Sequence, residues 1–499
     1  MKKKASLFII CILALIAAYL YVFTTFFKKS NNQLSCIDCN LIVMDIDVMR
    51  ADLIDCENNP NNTPNICSLI DESQIFTNHH THSELTRSGI GSFLTSTYPK
   101  SHGAWNELLI LNDNLVTLPK ILSENNFSTY NYGYFWKQEI SKHYQKYFPI
   151  IEKIKMGKRF DNLEEPFFAF IYNSWLHEPY LSQDKNHVID NPNKPEGFPN
   201  NAFEMEEARK KYVLDSYEEI FTQKAKEELF SKENVTDDEI YGYFQNSCDD
   251  PIKTRINESV FGCWRAHAII FEKYINPGNK DHIDFIKYLY SQRMKDVDGL
   301  IGEIIEELKN KDLWNKTIFI IRSDHGEAFM DHGQLSHGQL YEEIIKTPLI
   351  IRIPNSKKIT HNIYSQTIDE MPTILSIFNI DPPHTAQGRN LFSILKSKEK
   401  IENFGMAQFH MGGGGEITKE KYKLIINPDS FEVKFELYDL ETDPFEKDNI
   451  ARKNPLIVND MYTEYSKFIN TLPDYSLQQD ILDKLSPDQR ERMIREGYF

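Results

Sequence analysis

Short apolar runs rich in β-branched and aromatic side chains recur at residues 41–46, 167–172, 317–321 and 348–353, and stretches of helical periodicity separate them. That alternation predicts an α/β sheet whose faces are covered by helices. Residues 288–310 read as a long amphipathic helix, with Val297, Leu300, Ile301, Ile304, Ile305 and Leu308 as its apolar stripe. Core packing is a sufficient role for it. Residues 181–285 form a polar, acidic block with helix-like segments such as 203–217 and no catalytic motif, and read as an insertion that caps or flanks a site. After the Pro382-Pro383 turn and a glycine loop at 412–415, two strand-like runs at 422–426 and 435–440 predict a small α+β subdomain beside the main sheet. No internal repeat or extended low-complexity segment interrupts this order.

The first residues follow a different pattern. Lys2, Lys3 and Lys4 precede an uncharged, mostly apolar run over residues 5–27, which Lys28 and Lys29 close. The run is long enough to cross a bilayer as a helix. A cleaved signal peptide has a shorter apolar region that ends on small residues, whereas Tyr19, Tyr21, Phe23, Phe26 and Phe27 occupy the exit here. We therefore expect an uncleaved N-terminal transmembrane helix within residues 1–29. The leading lysines would remain cytoplasmic, making the protein single-pass with an extracytoplasmic catalytic domain. The expected organisation is a membrane anchor at 1–29, a catalytic domain at 38–395 containing the 181–285 insertion, and a C-terminal subdomain and tail at 396–499.

Composition narrows the function. A chain of 499 residues with 41% hydrophobic and 26% charged positions is folded and globular. Its net charge of −17 opposes a long contact with nucleic-acid phosphates. An anionic small substrate remains compatible, because a bound metal inverts the potential locally. Cys11 lies in the apolar run, leaving Cys36, Cys39, Cys56, Cys67, Cys248 and Cys263, an even number suited to disulfides in an oxidising compartment. We pair Cys56 with Cys67 and Cys248 with Cys263. The Cys36, Cys39 spacing matches a redox motif, but it precedes the first strand instead of opening a helix after one, which favours a structural role.

In open α/β sheets functional residues sit just beyond the carboxyl ends of strands. Asp47 follows the 41–46 run, and Asp324 with His325 follows 317–321 through Arg322 and Ser323. One such Asp alone is usually a turn former or a cap. Two of them, with an adjacent imidazole and a Gly326 that permits a tight turn, carry more weight and supply what a metal site needs.

At these residues the chain resembles the sulfatase family of the alkaline phosphatase superfamily. The segment Asp47-Val48-Met49-Arg50-Ala51-Asp52 resembles the family's Asp-x-x-Arg-x-Asp turn. Thr63-Pro64, Phe76-Thr77-Asn78, Leu94-Thr95, Tyr98-Pro99, His102-Gly103 and His177-Glu178-Pro179 follow in family order. So do Asp324-His325-Gly326-Glu327, His337-Gly338, Tyr341-Glu342-Glu343, Thr347-Pro348, Gly388-Arg389 and Leu437-Tyr438-Asp439. Together they cover most of residues 38–455. The resemblance implies an alkaline-phosphatase-like, mostly parallel central sheet covered by helices, and an ester hydrolase or phosphotransferase.

At the nucleophile position the pattern changes. The family carries Cys or Ser, oxidised to formylglycine, in a Cys/Ser-x-Pro-x-Arg signature. Ser83-Glu84-Leu85-Thr86-Arg87 is a near match, but it lacks the Pro and needs an insertion. Counting without a gap from Phe76 and from Tyr98-Pro99 places Thr86 at the nucleophile. Threonine cannot become formylglycine, yet it can attack when a metal lowers its pKa. Relatives with Thr here are phosphodiesterases and phospholipid headgroup transferases. Thr86 is also expected to open a helix through Thr95, whose N-terminus favours an anion.

The resemblance implies Asp47, Thr86, Asp324 and His325 as ligands of one divalent metal. Calcium-binding members commonly have a second Asp where Val48 stands. With few oxygens and one imidazole, zinc or manganese is expected, with calcium as the alternative. His177 and His337 are the expected groups to bind non-bridging oxygens or protonate the leaving oxygen, and Arg87 supplies a displaced guanidinium for the substrate. His79, His80 and His82 lie in a loop where the family has no ligand. Gly133-Tyr134-Phe135-Trp136 replaces the family's Gly-Lys-x-His segment, removing two cationic substrate contacts.

The expected function is metal-dependent hydrolysis of a sulfate or phosphate ester, with a glycan or lipid headgroup as the expected carrier. Thr86 is the nucleophile, and phosphoester or phosphotransfer chemistry is preferred. The alternatives are a sulfuric ester hydrolase in the usual family sense, and a catalytically silent anion- or glycan-binding member.

Overall fold

The computed structural model describes residues 34–134 except 105–110 and 112–114; 160–248 except 162, 222–225, 228 and 232–234; and 271–473 except 272, 398–402, 410–413 and 428–433. The expected membrane anchor and the Cys248–Cys263 pairing lie outside the described residues. Among those described, no helix is long and apolar enough to cross a membrane.

The strands of the first part are β1 (Asn40–Ile46), β2 (Ser73–Phe76), β3 (His79–His80), β4 (Ser128–Tyr134), β5 (Phe167–Asn173), β6 (Thr317–Arg322), β7 (Leu349–Arg352), β8 (Ile359–His361) and β9 (Ser365–Gln366). Seven of them make one sheet in the order β4-β5-β1-β6-β7-β2-β8. β4, β5, β1 and β6 run parallel, and β7 alone is antiparallel to both its neighbours. The fold is therefore α/β with a mostly parallel central sheet.

The apolar runs form strands because both faces of the sheet are buried. In β1 the alternation decides which face each side chain joins. Ile42, Met44 and Ile46 pack with the 31-residue Lys280–Asn310 helix through Val297, Leu300, Ile301 and Ile304. Leu41 and Val43 pack on the other side, against Ile90, Phe93 and Leu94 of the Thr86–Thr95 helix. Asp45 belongs to that second face and is fully buried there. Its carboxylate pairs at 2.6 Å with Arg322, which also bonds Glu370 at 2.9 Å and lies over the Phe93 ring. Removing one partner of so buried a network costs about 3–5 kcal/mol.

A second sheet holds β10 (Phe404–Gln408), β11 (Gly415–Lys419), β12 (Tyr422–Asn427) and β13 (Lys434–Asp439), all antiparallel. The Pro455–Thr471 helix covers one face through Val458, Met461 and Tyr465. Within 181–285 the described residues include helices Ala202–Ile220 and Asp237–Cys248, with a small core of their own around Val213, Phe221 and Phe244. Cys56 is bonded to Cys67, and Cys36 to Cys39. The second pair sits ahead of β1, with the Cys36 amide bonded to Ile377 O at 3.0 Å.

Candidate functional site

β1 and β6 are parallel neighbours with Asp45 opposite Arg322. Their carboxyl ends therefore release Asp47 and the Asp324-His325 pair side by side. Each of these three residues offers an atom within 4.8 Å of the others, all buried, an arrangement that can hold a metal ion. His325 Nε2 is 3.7 Å from Asp47 Oδ1 and 4.0 Å from Asp324 Oδ2. The other ring nitrogen, Nδ1, faces Gly326 O at 3.0 Å, which turns Nε2 toward the carboxylates.

Thr86 enters from the opposite side. It is the first residue of the Thr86–Thr95 helix, preceded by an extended Leu85. Its Oγ1 lies 3.4 Å from Asp47 Oδ1 and 3.3 Å from His325 Nε2. The close approach depends on Gly89, where a Cβ would stand 2.7 Å from Asp324 O. Ser83, the competing residue, is buried and donates its hydroxyl to Glu84 at 3.0 Å. Arg87 sits beside Thr86 on the first helical turn, half-buried.

The residues fit a divalent cation. Asp324 Oδ2 is buried without a hydrogen-bond partner among the described residues, an arrangement that is costly unless something positive faces it. Burial and the nearby Asp324 charge push the Asp47 carboxyl above the usual range, and a cation between the two would relieve both effects. The donors are carboxylate, imidazole and hydroxyl, a set that zinc or manganese accepts. Asp47, Asp324 and His325 could hold such an ion, with the Thr86 hydroxyl beside them.

Several neighbours support the ligands. The Tyr172 hydroxyl donates to Asp47 Oδ2 at 2.5 Å, and burial with the Asp47 charge keeps that phenol protonated well above its ordinary range. Val48 has φ 54°, a left-handed backbone that is strained for a β-branched residue. The turn is held by Tyr290, which donates to Val48 O at 2.9 Å, and by Met49 N, which donates to Ser323 Oγ at 2.9 Å. It also aims the Val48 amide at Asp324 Oδ1, 3.3 Å away.

His177 and His337 lie beside this group. Their rings are 5.2 Å apart, and the His337 ring is 4.4 Å from that of His325. Burial disfavours the imidazolium of His337, but Glu327 outweighs it and raises the pKa. For His177, burial is outweighed mainly by Asp47, with the same direction. Burial also opposes ionisation of Glu327, yet His337, His177 and the Tyr180 hydroxyl hold its carboxyl below the usual range. The His79, His80 and His82 side chains bond Ser365, Glu342 and Met406 O instead.

Thus the structure brings Asp47, Thr86, Asp324, His325, His177 and His337 into one place. Sequence reasoning missed Tyr172, Glu327 and the Val48 amide. Only Glu327 carried a signal, as part of the Asp324-His325-Gly326-Glu327 segment.

A family model described as Sulfatase matches residues 40–380, and one described as N-sulphoglucosamine sulphohydrolase, C-terminal, matches residues 330–470. Arylsulfatase K of Gallus gallus is 28% identical over 42% of this chain and 43% of its own length. That of Homo sapiens is 31% identical over 38% of each. The chain thus spans less than half the length of these relatives. N-acetylglucosamine-6-O-sulfatase of Bacteroides thetaiotaomicron is 24% identical over 92% of this chain and 89% of its own. Among solved structures, one in complex with its substrate D-glucosamine-2-N,6-O-disulfate superposes with TM-score 0.57 at 19% identity, covering 88% of this chain and 99% of that one. A phosphonate monoester hydrolase from Silicibacter pomeroyi gives TM-score 0.57 at 15% identity, covering 87% and 96%. These two speak for the fold.

Proposed function

We propose, for a chain that belongs to the sulfatase family of the alkaline phosphatase superfamily, that the reaction is hydrolysis of a sulfate ester carried on a sugar. The chain is an ester hydrolase of that superfamily. The observation that carries the assignment of roles is Thr86 Oγ1 standing 3.4 Å from Asp47 Oδ1 and 3.3 Å from His325 Nε2. A sugar sulfate is supported by the relative matched along most of both chains, whose name is N-acetylglucosamine-6-O-sulfatase.

Asp47, Thr86, Asp324 and His325 would hold one divalent ion, for which we propose zinc or manganese, and when bound it would supply Lewis acidity that lowers the pKa of the hydroxyl. Thr86 gives up its proton to solvent, and its oxygen forms a bond to sulfur as the bond from sulfur to the sugar oxygen breaks. His337 or His177 gives a proton to that leaving oxygen. The amides opening the Thr86–Thr95 helix, with Arg87 beside them, hold the sulfuryl oxygens. Water then attacks sulfur, releases sulfate and returns the hydroxyl to Thr86.

Thr86 itself favours a second reading. A side chain that cannot become an aldehyde hydrate must leave through an ester to threonine, a route equally open to phosphoryl groups. Phosphoester hydrolysis or transfer is therefore the runner-up. We further propose that residues 5–27 anchor the protein in a membrane, with the catalytic domain outside.

The test uses the full chain with zinc, manganese or calcium on 4-nitrophenyl sulfate, N-acetylglucosamine 6-sulfate, and aryl phosphate mono- and diesters, beside Thr86→Ala. Sulfate release lost in Thr86→Ala supports the proposal. Turnover of phosphates alone moves the assignment to the second reading. Turnover that survives Thr86→Ala but not Ser83→Ala reverses the nucleophile, and no turnover with any ester leaves an anion-binding protein.

A further inference from the structure

Each carboxylate of the candidate metal site has one oxygen committed to the protein and one turned inward. Asp47 Oδ2 accepts the Tyr172 hydroxyl at 2.5 Å, while Oδ1 faces Thr86 and His325. Asp324 Oδ1 accepts the His325 amide at 2.9 Å and the Val48 amide at 3.3 Å, while Oδ2 has no hydrogen-bond partner among the described residues. The commitment is rigid in both cases. Tyr172 lies on β5, in register with Asp45, and is 1% exposed. Val48 is fully buried in a turn held by Tyr290 and Ser323.

We propose that Tyr172, with the Val48 amide, restricts Asp47 and Asp324 to one ligating oxygen each and thereby selects a zinc- or manganese-like ion against calcium. The inference rests on reading Asp47, Asp324 and His325 as metal ligands, and it assigns a selectivity role to residues outside that set. Calcium takes six to eight oxygens and often gains them from carboxylates that bind through both atoms. The second oxygen of each carboxylate here already accepts a buried hydrogen bond, which occupies one of its two lone pairs and turns it toward its protein donor. Zinc needs only about four donors and accepts an imidazole among them. Outer hydrogen bonds of this type typically change metal affinity by about 10–100-fold when removed.

Tyr172→Phe removes the hydroxyl and keeps the ring, freeing Asp47 Oδ2 toward the ion. Tyr130→Phe on the neighbouring strand β4 is the control, since among the described residues its hydroxyl accepts the Glu164 amide, at 3.4 Å. The full chain would be stripped with a chelator and equilibrated by dialysis against zinc, manganese or calcium, and bound metal measured by elemental analysis, with thermal unfolding recorded for each form. The expected result is a fall of about tenfold or more in the zinc-to-calcium affinity ratio for Tyr172→Phe, with no change for Tyr130→Phe. An unchanged ratio, whether both affinities hold or both fall equally, overturns the proposal and leaves the metal reading standing. A fall of the same size in Tyr130→Phe also overturns it, as a general packing effect. If the unaltered protein binds none of the three ions, the metal reading itself fails and takes the proposal with it.

Discussion

Glu327, fully buried, faces the partly buried His337, with Glu327 Oε1 3.6 Å from His337 Nδ1. The second carboxylate oxygen accepts the Tyr180 hydroxyl at 2.8 Å, so the pair is fixed from both sides. With Nδ1 occupied, Nε2 is the nitrogen left to meet the substrate. If His337 protonates the leaving oxygen, its loss should matter most where that oxygen is a poor leaving group. We expect His337→Ala to lower kcat/KM by about 10²–10⁴-fold on a sugar sulfate, and Glu327→Gln by about tenfold through misplaced imidazole. Both losses should shrink on 4-nitrophenyl sulfate, whose phenol departs without help. Equal losses on the two esters, measured as kcat/KM, would remove the acid role from His337.

Gly326 is the next point of sensitivity. Its amide donates to Ile344 O at 2.7 Å, and a Cβ at this position would overlap the carbonyl oxygen of Glu343. The turn carrying Asp324 and His325 is therefore pressed against the Glu342–Ile345 helix backbone to backbone. Gly326→Ala should cost about 1–3 kcal/mol of stability and weaken metal binding at the same time. Denaturant unfolding together with bound-metal analysis checks this. Lower stability with unaltered metal affinity would show that the turn yields without moving its ligands.

What was legible in the sequence follows from where each signal resides. Asp47, Asp324 and His325 stood out because they follow buried parallel strands, whose continuous apolar runs end abruptly at the polar site. Thr86 was legible only through spacing from Phe76 and Tyr98, since a threonine before a helix is otherwise an ordinary cap. Tyr172 was hidden because an aromatic residue in a buried strand reads as core, and its hydroxyl acts across to β1, 125 residues away. The Val48 contact comes from a backbone amide and has no side-chain signature. β4 escaped because Ser128–Tyr134 interleaves Ser, Thr, Asn and Gly with its tyrosines. β10 and β11 escaped because Gly405, Gly415 and Glu416 dilute the apolar pattern, although Glu416 is itself buried.

That burial gives a pH dependence with a definite sign. Burial pushes the Glu416 carboxyl up to about 8, against the attraction of Lys423 and a hydrogen bond from Thr418 at 3.0 Å. Its Oε1 has no hydrogen-bond partner among the described residues. In the unfolded chain the group titrates near 4.5. Between those values the unfolded state has released the proton and the folded state retains it. Stability therefore falls as pH rises through this window, by at most about 1.4 kcal/mol per pH unit, and levels off above pH 8. Glu446, pushed up to about 7 by burial, adds to the same trend. Glu416→Gln should reduce the loss of Tm between pH 6 and pH 9. A Tm profile parallel to that of the unaltered protein would show that Glu416 does not take up the proton.

The Cys56–Cys67 bridge closes a loop with a separation of 11 residues and ends inside the Pro64–Ile70 helix. That helix is tied to the molecule from a distance. The Asn65 and Ile66 amides donate to Asp298 of the Lys280–Asn310 helix at 3.1 and 2.8 Å, capping the N-terminus with a carboxylate. The bridge limits the freedom of the unfolded loop, and closing a loop of this length is worth about 3 kcal/mol in the chain-entropy account. Replacing both cysteines with serine should lower stability by that amount while leaving metal affinity unchanged, because none of the donors lies in the loop. Asp298→Ala should lower stability further and less than additively, since cap and bridge order the same segment. Thermal unfolding with and without a phosphine reductant decides the matter. The reductant should lower the Tm of the unaltered protein and change that of Cys56→Ser/Cys67→Ser much less. An equal reductant effect on both would assign the stabilisation to other cysteines.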